Sequence, residues 1–239
     1  MATTDITFPA AGGRPMRAAY ATPSDAQKHP GVIVIHEIFG LNDDIRRITG
    51  RVADLGYAAL APDLYDRDGM RLACVARTMM TLNRGEGDAF QDLDAARKFM
   101  QQQPGVDAAR IGVIGFCMGG GFALMFAART PLAVAATFYG EVPKTTEQLH
   151  GVCPVLGGYG GQDKMFAGQG LRLDKLLTEM GVDHDVKIYE DAGHSFMSRN
   201  RGLLASIGKI SPMKAAYNPE AAEDSWKRIE AFFGRHLGQ

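Results

Sequence analysis

Residues 115–119, with the sequence Gly-Phe-Cys-Met-Gly, constrain the fold of this chain more than any other segment. An apolar run that favours a β-strand precedes them at 110–114, and a run typical of a helix follows at 120–129. The glycines permit a sharp, strained turn, because glycine tolerates backbone dihedral angles that other residues avoid. Such a turn would raise the sulfur of Cys117 above a sheet and point a helix N-terminus at it, which favours a thiolate. The segment therefore predicts a nucleophile elbow, with cysteine in the place that serine takes in the Gly-x-Ser-x-Gly pattern.

Other uses of a cysteine in a glycine-rich turn agree less well with the sequence. A phosphate-binding P-loop needs a lysine after its last glycine, and none follows Gly121. A Cys-x5-Arg phosphate loop would place an arginine where Ala123 stands, and a thioredoxin-like site would need a Cys-x-x-Cys pair, which is missing. The pattern itself leaves one alternative open, in which Cys117 is only a small buried hydrophobic side chain.

Strand and helix patterns alternate along the chain. Two short segments joined by a glycine turn, 5–9 and 16–21, predict a hairpin at a sheet edge. Further strands are predicted at 32–35, 57–61, 111–116, 132–139, 154–159 and 185–189. Helices are predicted at 43–55, after an Asn42 cap, and at 70–82, 88–103, 120–129, 168–180 and 219–237. This alternation predicts an α/β fold with a mostly parallel central sheet flanked by helices.

The domain organisation is expected to be simple. A length of 239 residues suits a single domain over 1–239, without a large cap domain. The long segment 195–213 contains Gly202, Gly208 and Pro212, and we expect either a lid rim over a site or an ordinary surface loop there. The apolar stripe of the last helix, 219–237, has helical spacing and is expected to pack in the core.

Composition and charge exclude several classes of function. The net charge is −1, with acidic and basic residues interspersed, so the sequence has no basic field for nucleic acid or acidic membranes. No apolar run is long enough to span a bilayer, and residues 1–10 lack the pattern of a signal peptide. The three cysteines, Cys74, Cys117 and Cys153, are scattered without metal-ligand spacing. We therefore expect a cytoplasmic protein without a metal or a disulfide framework.

Three residues of the chain could form a catalytic triad. A cysteine nucleophile needs a base, and the base needs a group that orients it. Cys117, Asp163 and His194 occur in the order nucleophile, acid, histidine that is typical of α/β-hydrolases. Each follows a different predicted strand, and active sites in such sheets form at the carboxyl ends of the strands. The sequence therefore predicts a Cys117–His194–Asp163 triad in an α/β-hydrolase fold.

Alternatives exist for both the base and the acid. His194 lies in a glycine-containing loop after the last predicted strand, whereas His36 ends an earlier strand and is the weaker candidate. Asp191 is close to His194 in sequence and could be the acid or a turn residue. Asp163 is preferred because it agrees with the chain order. The less suitable aspartates, which precede or open a strand, are Asp183 and Asp185.

An oxyanion hole requires two backbone N–H donors beside the nucleophile. In the α/β-hydrolase pattern one donor is the residue after the nucleophile, here Met118, and the other lies in the loop after an early strand. That loop reads His-Glu-Ile-Phe-Gly at 36–40, so the N–H of Ile38 is the second candidate. Glu37 would then lie close to the sulfur and could keep the thiol protonated at rest or share its proton. A surface carboxylate or a helix-cap partner is the alternative for Glu37.

Six segments of the chain together resemble the dienelactone hydrolase family of α/β-hydrolases. They are His-Glu-Ile-Phe-Gly at 36–40, Ala-Pro-Asp-Leu-Tyr at 61–65, Gly-Phe-Cys-Met-Gly-Gly at 115–120, Phe-Tyr-Gly at 138–140, Gly-Gly-Gln-Asp at 160–163 and Ala-Gly-His-Ser-Phe at 192–196. The cysteine-centred elbow together with the His-Glu-x-x-Gly segment is specific to this pattern. The resemblance implies the same triad, contact between Glu37 and the resting thiol, and Ile38 and Met118 as oxyanion donors.

The resemblance also implies a reaction and a means of recognising the substrate. The family's named reaction opens dienelactone, an enol lactone that bears a carboxylate, to maleylacetate in aromatic compound degradation, and it needs no cofactor. Well-known members bind that carboxylate with arginines after the catalytic histidine and in the helical region before the elbow. Arg199 and Arg201 lie in the first of these regions, and Arg77 and Arg84 in the second. We take Arg199 and Arg84 as the candidates.

Two other functions are alternatives to the family's named reaction. One is a general carboxylesterase or thioesterase with another substrate. The other is an α/β-hydrolase fold kept as a non-catalytic module that binds small molecules, which would predict the loss of at least one triad residue. Cys117, Asp163 and His194 are all present. We expect a monomer or small homo-oligomer that acts on a small-molecule ester or lactone and has neither nucleic acid nor a membrane as its partner.

Overall fold

The structure, a computed structural model, describes residues 1–67, 71–200 and 203–238. The chain divides into two compact units, Met1–Ile114 and Gly115–Gln239. Strands and helices alternate along both units. This order confirms the α/β class that the sequence predicts.

The first unit is built around a mixed sheet. Its strands lie in the order β1 (Thr4–Pro9), β2 (Pro15–Ala21), β4 (Ala58–Pro62), β3 (His29–Ile35) and β5 (Val106–Phe116). β1 and β2 form the predicted hairpin, with Pro9 opposite Pro15, and β2 pairs antiparallel with β4. β3 pairs parallel with β4 and is buried from Pro30 to Ile35. A strand buried on both faces is what its continuous apolar sequence predicts.

The helices of the first unit are α1 (Asp43–Asp54), α2 (Arg71–Arg84) and α3 (Asp88–Gln101). α1 begins as predicted, because the side chain of Asn42 accepts a hydrogen bond from the N–H of Ile45 at 2.9 Å. Asp43 and Asp44 in the first turn of α1 complement the helix dipole. α1 packs on β2, β3 and β4, and α3 packs on β1, β3 and β4.

The second unit starts with the last two residues of β5 and continues with a parallel sheet. Its further strands lie in the order β6 (Val134–Phe138), β7 (Val155–Gly160) and β8 (His184–Tyr189). β6 pairs parallel with β7, and β7 pairs parallel with β8. The carboxyl ends of these strands therefore lie at one edge of the sheet, so residues that directly follow them can share a site.

The helices of the second unit are α4 (Met118–Ala127), α5 (Gln169–Met180), α6 (Leu203–Ile210) and α7 (Pro219–Leu237). Every residue of α4 is buried, in keeping with its apolar and glycine-rich sequence. The predicted core stripe of α7 is also buried, and it consists of Ala222, Trp226, Ile229, Phe232 and Phe233. Among the described residues, no helix combines the length and the apolar character needed to cross a membrane.

The segment 195–213 differs from the sequence prediction. We expected a lid rim or a surface loop, but residues 203–210 form the helix α6, so the prediction of an ordinary loop was wrong there. Leu203, Ile207 and Ile210 have helical spacing, and Gly202 before the helix and Gly208 within it obscured this signal. Residues 201–202 lie outside the described residues, and a lid function stays a prediction.

Candidate active site

Cys117 occupies a strained turn between β5 and α4. Its backbone has φ 54° and ψ −120°, in a region that residues other than glycine rarely adopt. Its N–H donates to the carbonyl of Phe138 at 3.0 Å, and its carbonyl accepts from the N–H of Gly120 at 2.9 Å. Strain of this kind costs about 1–3 kcal/mol and is usually found at functional sites. The turn therefore has the geometry of a nucleophile elbow.

Glycines make this turn possible because the chain segments around it approach closely. A Cβ atom on Gly115 would lie 1.9 Å from the carbonyl oxygen of Gly119. A Cβ atom on Gly140, just past β6, would lie 2.6 Å from backbone atoms of Gly120. Neither distance can be accommodated without moving the backbone. The elbow helix α4 thus approaches the end of β6 so closely that only glycine can stand there.

Asp163 and His194 lie in contact at the carboxyl ends of β7 and β8. The two atoms His194 Nδ1 and Asp163 Oδ2 are 2.6 Å apart, and each side chain is buried. The other carboxylate oxygen, Asp163 Oδ1, accepts the N–H groups of Met165 at 3.1 Å and Phe166 at 3.2 Å. A carboxylate held in this way accepts the N–H of Nδ1 of His194. Nε2 is therefore the nitrogen that can gain or lose a proton. Nε2 is buried and has no hydrogen-bond partner among the described residues.

The Cys117 side chain acts on the same imidazole. Burial lowers the pKa of His194, but hydrogen bonding and charge from Asp163 and Cys117 outweigh it and raise the pKa to about 10. Acidic groups on two sides of an imidazole both favour its protonated form. The three residues of the predicted triad therefore interact with one another in the second unit.

His36, the alternative base, has both ring nitrogens occupied by backbone groups. Nδ1 donates to the carbonyl of Glu37 at 2.7 Å, and Nε2 accepts the N–H of Leu64 at 3.1 Å. These bonds require the neutral tautomer with the proton on Nδ1. His36 therefore connects two loops of the first unit and has no nitrogen available as a base.

The alternative acids lie in other surroundings in the second unit. Asp191 is exposed, and its carbonyl accepts a hydrogen bond from the side chain of Asn218 at 3.1 Å. Of the other two aspartates, Asp185 forms an ion pair with Arg228, and a carboxylate oxygen of Asp183 lies 3.0 Å from Nε2 of His236. The geometry thus favours Asp163 as the partner of His194.

The predicted oxyanion donors lie in two different turns. Ile38 belongs to a turn after β3 in which the carbonyl of Glu37 accepts the N–H of Gly40 at 3.0 Å, and Gly40 has φ 74°. The Glu37 side chain is buried, whereas Ile38 is 41% exposed. Met118 is the first residue of α4, directly after Cys117. The roles of Glu37, Ile38 and Met118 stay predictions.

The candidate arginines are exposed side chains. Arg199 donates to the hydroxyl of Tyr217 at 2.9 Å, and its guanidinium lies 4.7 Å from the centre of the Tyr217 ring. Arg84 is the last residue of α2, and Arg77 lies two turns earlier in that helix. Arg201 lies outside the described residues. Substrate binding by Arg199 and Arg84 stays a prediction.

Sequence reasoning missed the rings that enclose His194. The centre of the Tyr139 ring lies 5.0 Å from that of the imidazole, and the centre of the Phe166 ring lies 4.8 Å from it. The signal for Tyr139 was its place after β6 and before a glycine, and the signal for Phe166 was its place three residues after Asp163. Both contacts join segments that are distant in sequence, so spacing could not predict them.

A second feature that sequence reasoning missed is a brace, residues 212–216, that follows α6. The carbonyl of Met213 accepts the N–H of His194 at 2.8 Å, and the N–H of Ala216 donates to the carbonyl of His194 at 3.1 Å. The N–H of Lys164 donates to the carbonyl of Pro212 at 3.1 Å. The brace therefore holds the loop of the acid and the loop of the base through backbone hydrogen bonds.

Across residues 1–67, 71–200 and 203–238, no group of three or more His, Cys, Asp or Glu side chains is arranged to hold a metal ion.

Comparison with known proteins identifies the family. The model of the dienelactone hydrolase family matches residues 16–237, which is nearly the whole chain. The chain belongs to the dienelactone hydrolase family. This finding confirms the resemblance that the six sequence segments indicate.

Relatives of this dienelactone hydrolase family member include curated and structurally characterised proteins. A protein of Saccharolobus solfataricus, provisionally named carboxymethylenebutenolidase, is 32% identical over 259 residues, covering 93% of this chain and 95% of the relative. The crystal structure of a provisionally assigned dienelactone hydrolase from Klebsiella pneumoniae has a TM-score of 0.78 at 27% identity and covers 98% of both chains. A dienelactone hydrolase-like promiscuous phosphotriesterase from metagenomic libraries has a TM-score of 0.81 at 27% identity and covers 100% of both chains.

Membership of the dienelactone hydrolase family establishes the fold and the class of enzyme. The α/β-hydrolase fold is shared with these structures and with an esterase of 14% identity and a TM-score of 0.70. The protein is a carboxymethylenebutenolidase-like hydrolase that acts on esters. The alternative of a non-catalytic binding module disagrees with this result.

Proposed function

We propose that this enzyme hydrolyses an activated ester or an enol lactone of the dienelactone type through Cys117, His194 and Asp163. The reaction would pass through an S-acyl-enzyme intermediate. The observation that carries the proposal is the 2.6 Å contact between Asp163 and His194, on a ring whose pKa the Cys117 side chain helps to raise. A nucleophile, a base and an orienting acid that interact in this way are the minimum set for acyl transfer.

The first step is attack by the sulfur of Cys117 on the carbonyl carbon of the substrate. The thiolate is the nucleophile, and His194 stays protonated beside it because its pKa is raised to about 10. The negative charge then moves to the carbonyl oxygen. We assign its stabilisation to the N–H groups of Met118 and Ile38, each contributing about 3 kcal/mol by analogy with other oxyanion holes.

The second step breaks the bond between the carbonyl carbon and the enol oxygen. The enolate leaves, His194 gives it the Nε2 proton, and the acyl group remains on sulfur. His194, now neutral, takes a proton from a water molecule, and the resulting hydroxide attacks the thioester. The carbon–sulfur bond breaks, the thiolate of Cys117 is restored and the acid is released. Asp163 keeps the ring in one orientation through both steps.

A cysteine nucleophile restricts the range of substrates. Since a thiolate leaves more easily than an alkoxide or an amine, a tetrahedral adduct with a poor leaving group expels the sulfur and reverts. An enolate or another thiolate leaves readily, so the adduct goes forward. Enol lactones, activated esters and thioesters are therefore suitable substrates, and peptides are not unless the leaving amine is protonated in time.

Glu37 is proposed to act on the resting thiol. Its carboxyl group is buried in the turn after β3. A carboxylate near a thiol disfavours the thiolate, whereas the imidazolium of His194 favours it. Glu37 would therefore keep Cys117 protonated until substrate binds and take that proton as the thiolate forms, or share it with the sulfur.

We propose Arg199 and Arg84 as the groups that recognise a carboxylate on the substrate. Arg199 has an exposed guanidinium near the loop of His194, and its present partner is the ring and hydroxyl of Tyr217. A planar guanidinium binds a carboxylate through two hydrogen bonds.

We also propose a cytoplasmic location and a monomer or a small homo-oligomer. The three cysteines are unpaired, which supports the cytoplasmic location.

The proposal is tested by measuring turnover of dienelactone and of p-nitrophenyl acetate by the parent and by Cys117 variants. Cys117→Ala should show no turnover above background, and Cys117→Ser should be slow, because a neutral serine needs stronger base assistance. Iodoacetamide should inactivate the parent. The matched control is Cys153→Ala, since burial raises the pKa of the Cys153 thiol to about 12 and makes it inert.

Two results would contradict the proposal. One is parent-like turnover by Cys117→Ala, and the other is parent-like turnover of the native substrate by Cys117→Ser. The ratio of the rates for dienelactone and p-nitrophenyl acetate separates the family's named reaction from a broad carboxylesterase or thioesterase. A phosphotriester belongs in the same panel, because one relative of 27% identity is a promiscuous phosphotriesterase.

A further inference from the structure

Tyr139 is held in an unusual conformation at the end of β6. Its φ is 44°, which is rare for a bulky residue, and its side chain is fully buried. Its N–H donates to the carbonyl of Gly158 at 2.8 Å, so the backbone is anchored on β7. Backbone strain at an aromatic residue persists only where the surrounding structure enforces it, and such residues cluster at active sites.

Phe138 and Tyr139 together connect the nucleophile turn to the loop of the base. The residue before it, Phe138, accepts the N–H of Cys117 through its carbonyl at 3.0 Å. The Tyr139 ring packs against His194, with ring centres 5.0 Å apart and planes inclined by 55°. Its buried hydroxyl lies 3.0 Å from the hydroxyl of Ser198, four residues after His194. Tyr139 thus contacts the loop of the base, and the residue before it contacts the nucleophile, so the two segments stay in register for proton transfer.

The imidazole of His194 needs such a contact because its single fully formed hydrogen bond leaves one motion free. The bond from Nδ1 to Asp163 fixes that nitrogen but still allows the ring to swing about it. The swing would move Nε2, which has no hydrogen-bond partner among the described residues, away from the sulfur. The Tyr139 ring and the Phe166 ring, with its centre 4.8 Å from that of the imidazole, limit this motion.

The hydroxyl pair determines where the Tyr139 ring lies. Phe196, in the same loop as Ser198, packs edge-on against Tyr139 with ring centres 5.2 Å apart. Packing alone tolerates small shifts of an aromatic ring, whereas a buried hydrogen bond to Ser198 fixes both the ring and the loop. Loss of the hydroxyl would therefore loosen the loop that carries His194 without creating a large cavity.

We propose that Tyr139 is a positioning residue, whose hydrogen bond to Ser198 keeps Nε2 of His194 directed at Cys117. This inference rests on the proposed function and deepens it, because it names what orients the base beyond Asp163. It makes the Tyr139–Ser198 pair part of the machinery that sets the rate of the chemical steps.

The test uses Tyr139→Phe, Ser198→Ala and the double variant. Each single change should lower kcat by about fivefold with little change in KM, which is the size expected for one buried hydrogen bond felt in the transition state. The double variant should be no slower than either single variant, because both remove the same bond. The matched control is Tyr159→Phe, another buried tyrosine of the same unit, which should keep the parent kcat.

A second readout separates positioning from folding. The rate at which iodoacetamide alkylates Cys117 should change in Tyr139→Phe and Ser198→Ala, and the pKa of His194, followed by NMR, should fall as Nε2 moves from the sulfur. A merely structural role would lower the melting temperature and leave both quantities at their parent values. Ser198→Ala keeps the test open if Tyr139→Phe fails to fold.

The inference is overturned if Tyr139→Phe and Ser198→Ala fold and keep the parent kcat, alkylation rate and pKa of His194. It is also overturned if the two changes slow turnover additively. A different result would contradict the proposed function, namely turnover by the parent that does not depend on Cys117. In that case the alkylation rate and the NMR titration still decide whether Tyr139 positions the imidazole.

Discussion

His36 and His194 look alike in the sequence and differ completely in the structure. Each follows a β-strand, and each is buried, with exposures of 0% and 2%. Both nitrogens of His36 are bonded to backbone groups, whereas His194 has one nitrogen bonded to a carboxylate and one without a hydrogen bond. Buried polar atoms are nearly always satisfied in folded proteins. The unused nitrogen of His194 therefore indicates chemistry, whereas the two occupied nitrogens of His36 indicate a structural role.

The comparison also shows how the partner sets the charge of the ring. Backbone groups bond the neutral form of His36, with one donor and one acceptor. Asp163 and Cys117 favour the cationic form of His194 and raise its pKa to about 10 against the effect of burial. The two rings thus differ in what bonds them directly. Two backbone groups bond His36, with a carboxylate oxygen of Asp63 3.9 Å from its Nε2, whereas a carboxylate bonds His194.

The largest effect is expected for His194→Gln. The variant should lose turnover by about 10⁴-fold or more, because the base and the proton donor for the leaving group are removed together. Steady-state kinetics with dienelactone or p-nitrophenyl acetate measures the loss. His36→Gln is the matched control and should retain most of the turnover of the folded protein. Equal losses in the two variants would abolish the distinction between the two histidines.

Asp163→Asn should produce the next largest effect, a loss of turnover by about 10³-fold. The amide can no longer stabilise the imidazolium, and it favours the wrong tautomer of His194. The pKa of His194 should fall from its value of about 10, as measured by NMR titration of the imidazole protons. An unchanged pKa would mean that Asp163 does not determine the charge of the ring.

Asp163→Asn should also change the pH dependence of the free energy of unfolding. Because the pKa of His194 is raised from 6.5 to about 10 on folding, its stabilising contribution is complete below pH 6.5 and is lost as the pH rises through about 10. The parent should therefore lose part of its stability advantage over Asp163→Asn across this range. Urea unfolding at pH 6 and pH 10 measures the difference in the free energy of unfolding.

The sequence predicted those parts of the molecule that depend on local pattern. The strained turn at Cys117 follows from glycines on both sides of it, and the start of α1 follows from the capping side chain of Asn42. The contact between Asp163 and His194 agrees with the rule that residues after parallel strands meet at one edge of the sheet. In each case a short motif or one topological rule was enough.

The features that the sequence did not predict depend on contacts between distant segments. Tyr139 and Ser198 are 59 residues apart, and no spacing rule relates a tyrosine after one strand to a serine after another. The helix α6 was missed because Gly202 and Gly208 suggested a loop. The brace at 212–216 consists of backbone hydrogen bonds, which leave no mark in the identity of the side chains.

A smaller effect, on stability, is expected for His36→Phe. The apolar ring fills similar space but leaves the buried N–H of Leu64 without its acceptor, which should lower the free energy of unfolding by about 2 kcal/mol. Urea denaturation measures the change. His36→Gln should recover part of the loss, since its amide oxygen can accept a hydrogen bond. If His36→Phe were as stable as the parent, the two backbone bonds would have no architectural role.

The smallest substitution, a single added methyl group, tests how firmly the loop of His194 is held. A Cβ atom on Gly193 would lie 2.0 Å from the carbonyl oxygen of Lys214, in the brace, so Gly193→Ala must displace one of the two segments. We expect a loss of about 1–3 kcal/mol in the free energy of unfolding, as for other overpacked sites. The matched control is Gly234→Ala in α7. A Cβ atom there meets nothing within 4 Å, and the substitution should stabilise the helix by about 0.5–1 kcal/mol.

The same two variants also test the effect of the brace on activity. Because the brace bonds both backbone groups of His194, Gly193→Ala should lower kcat, whereas Gly234→Ala should not. Thermal unfolding and kcat measured on the same two samples decide whether the brace restrains the base or only covers it.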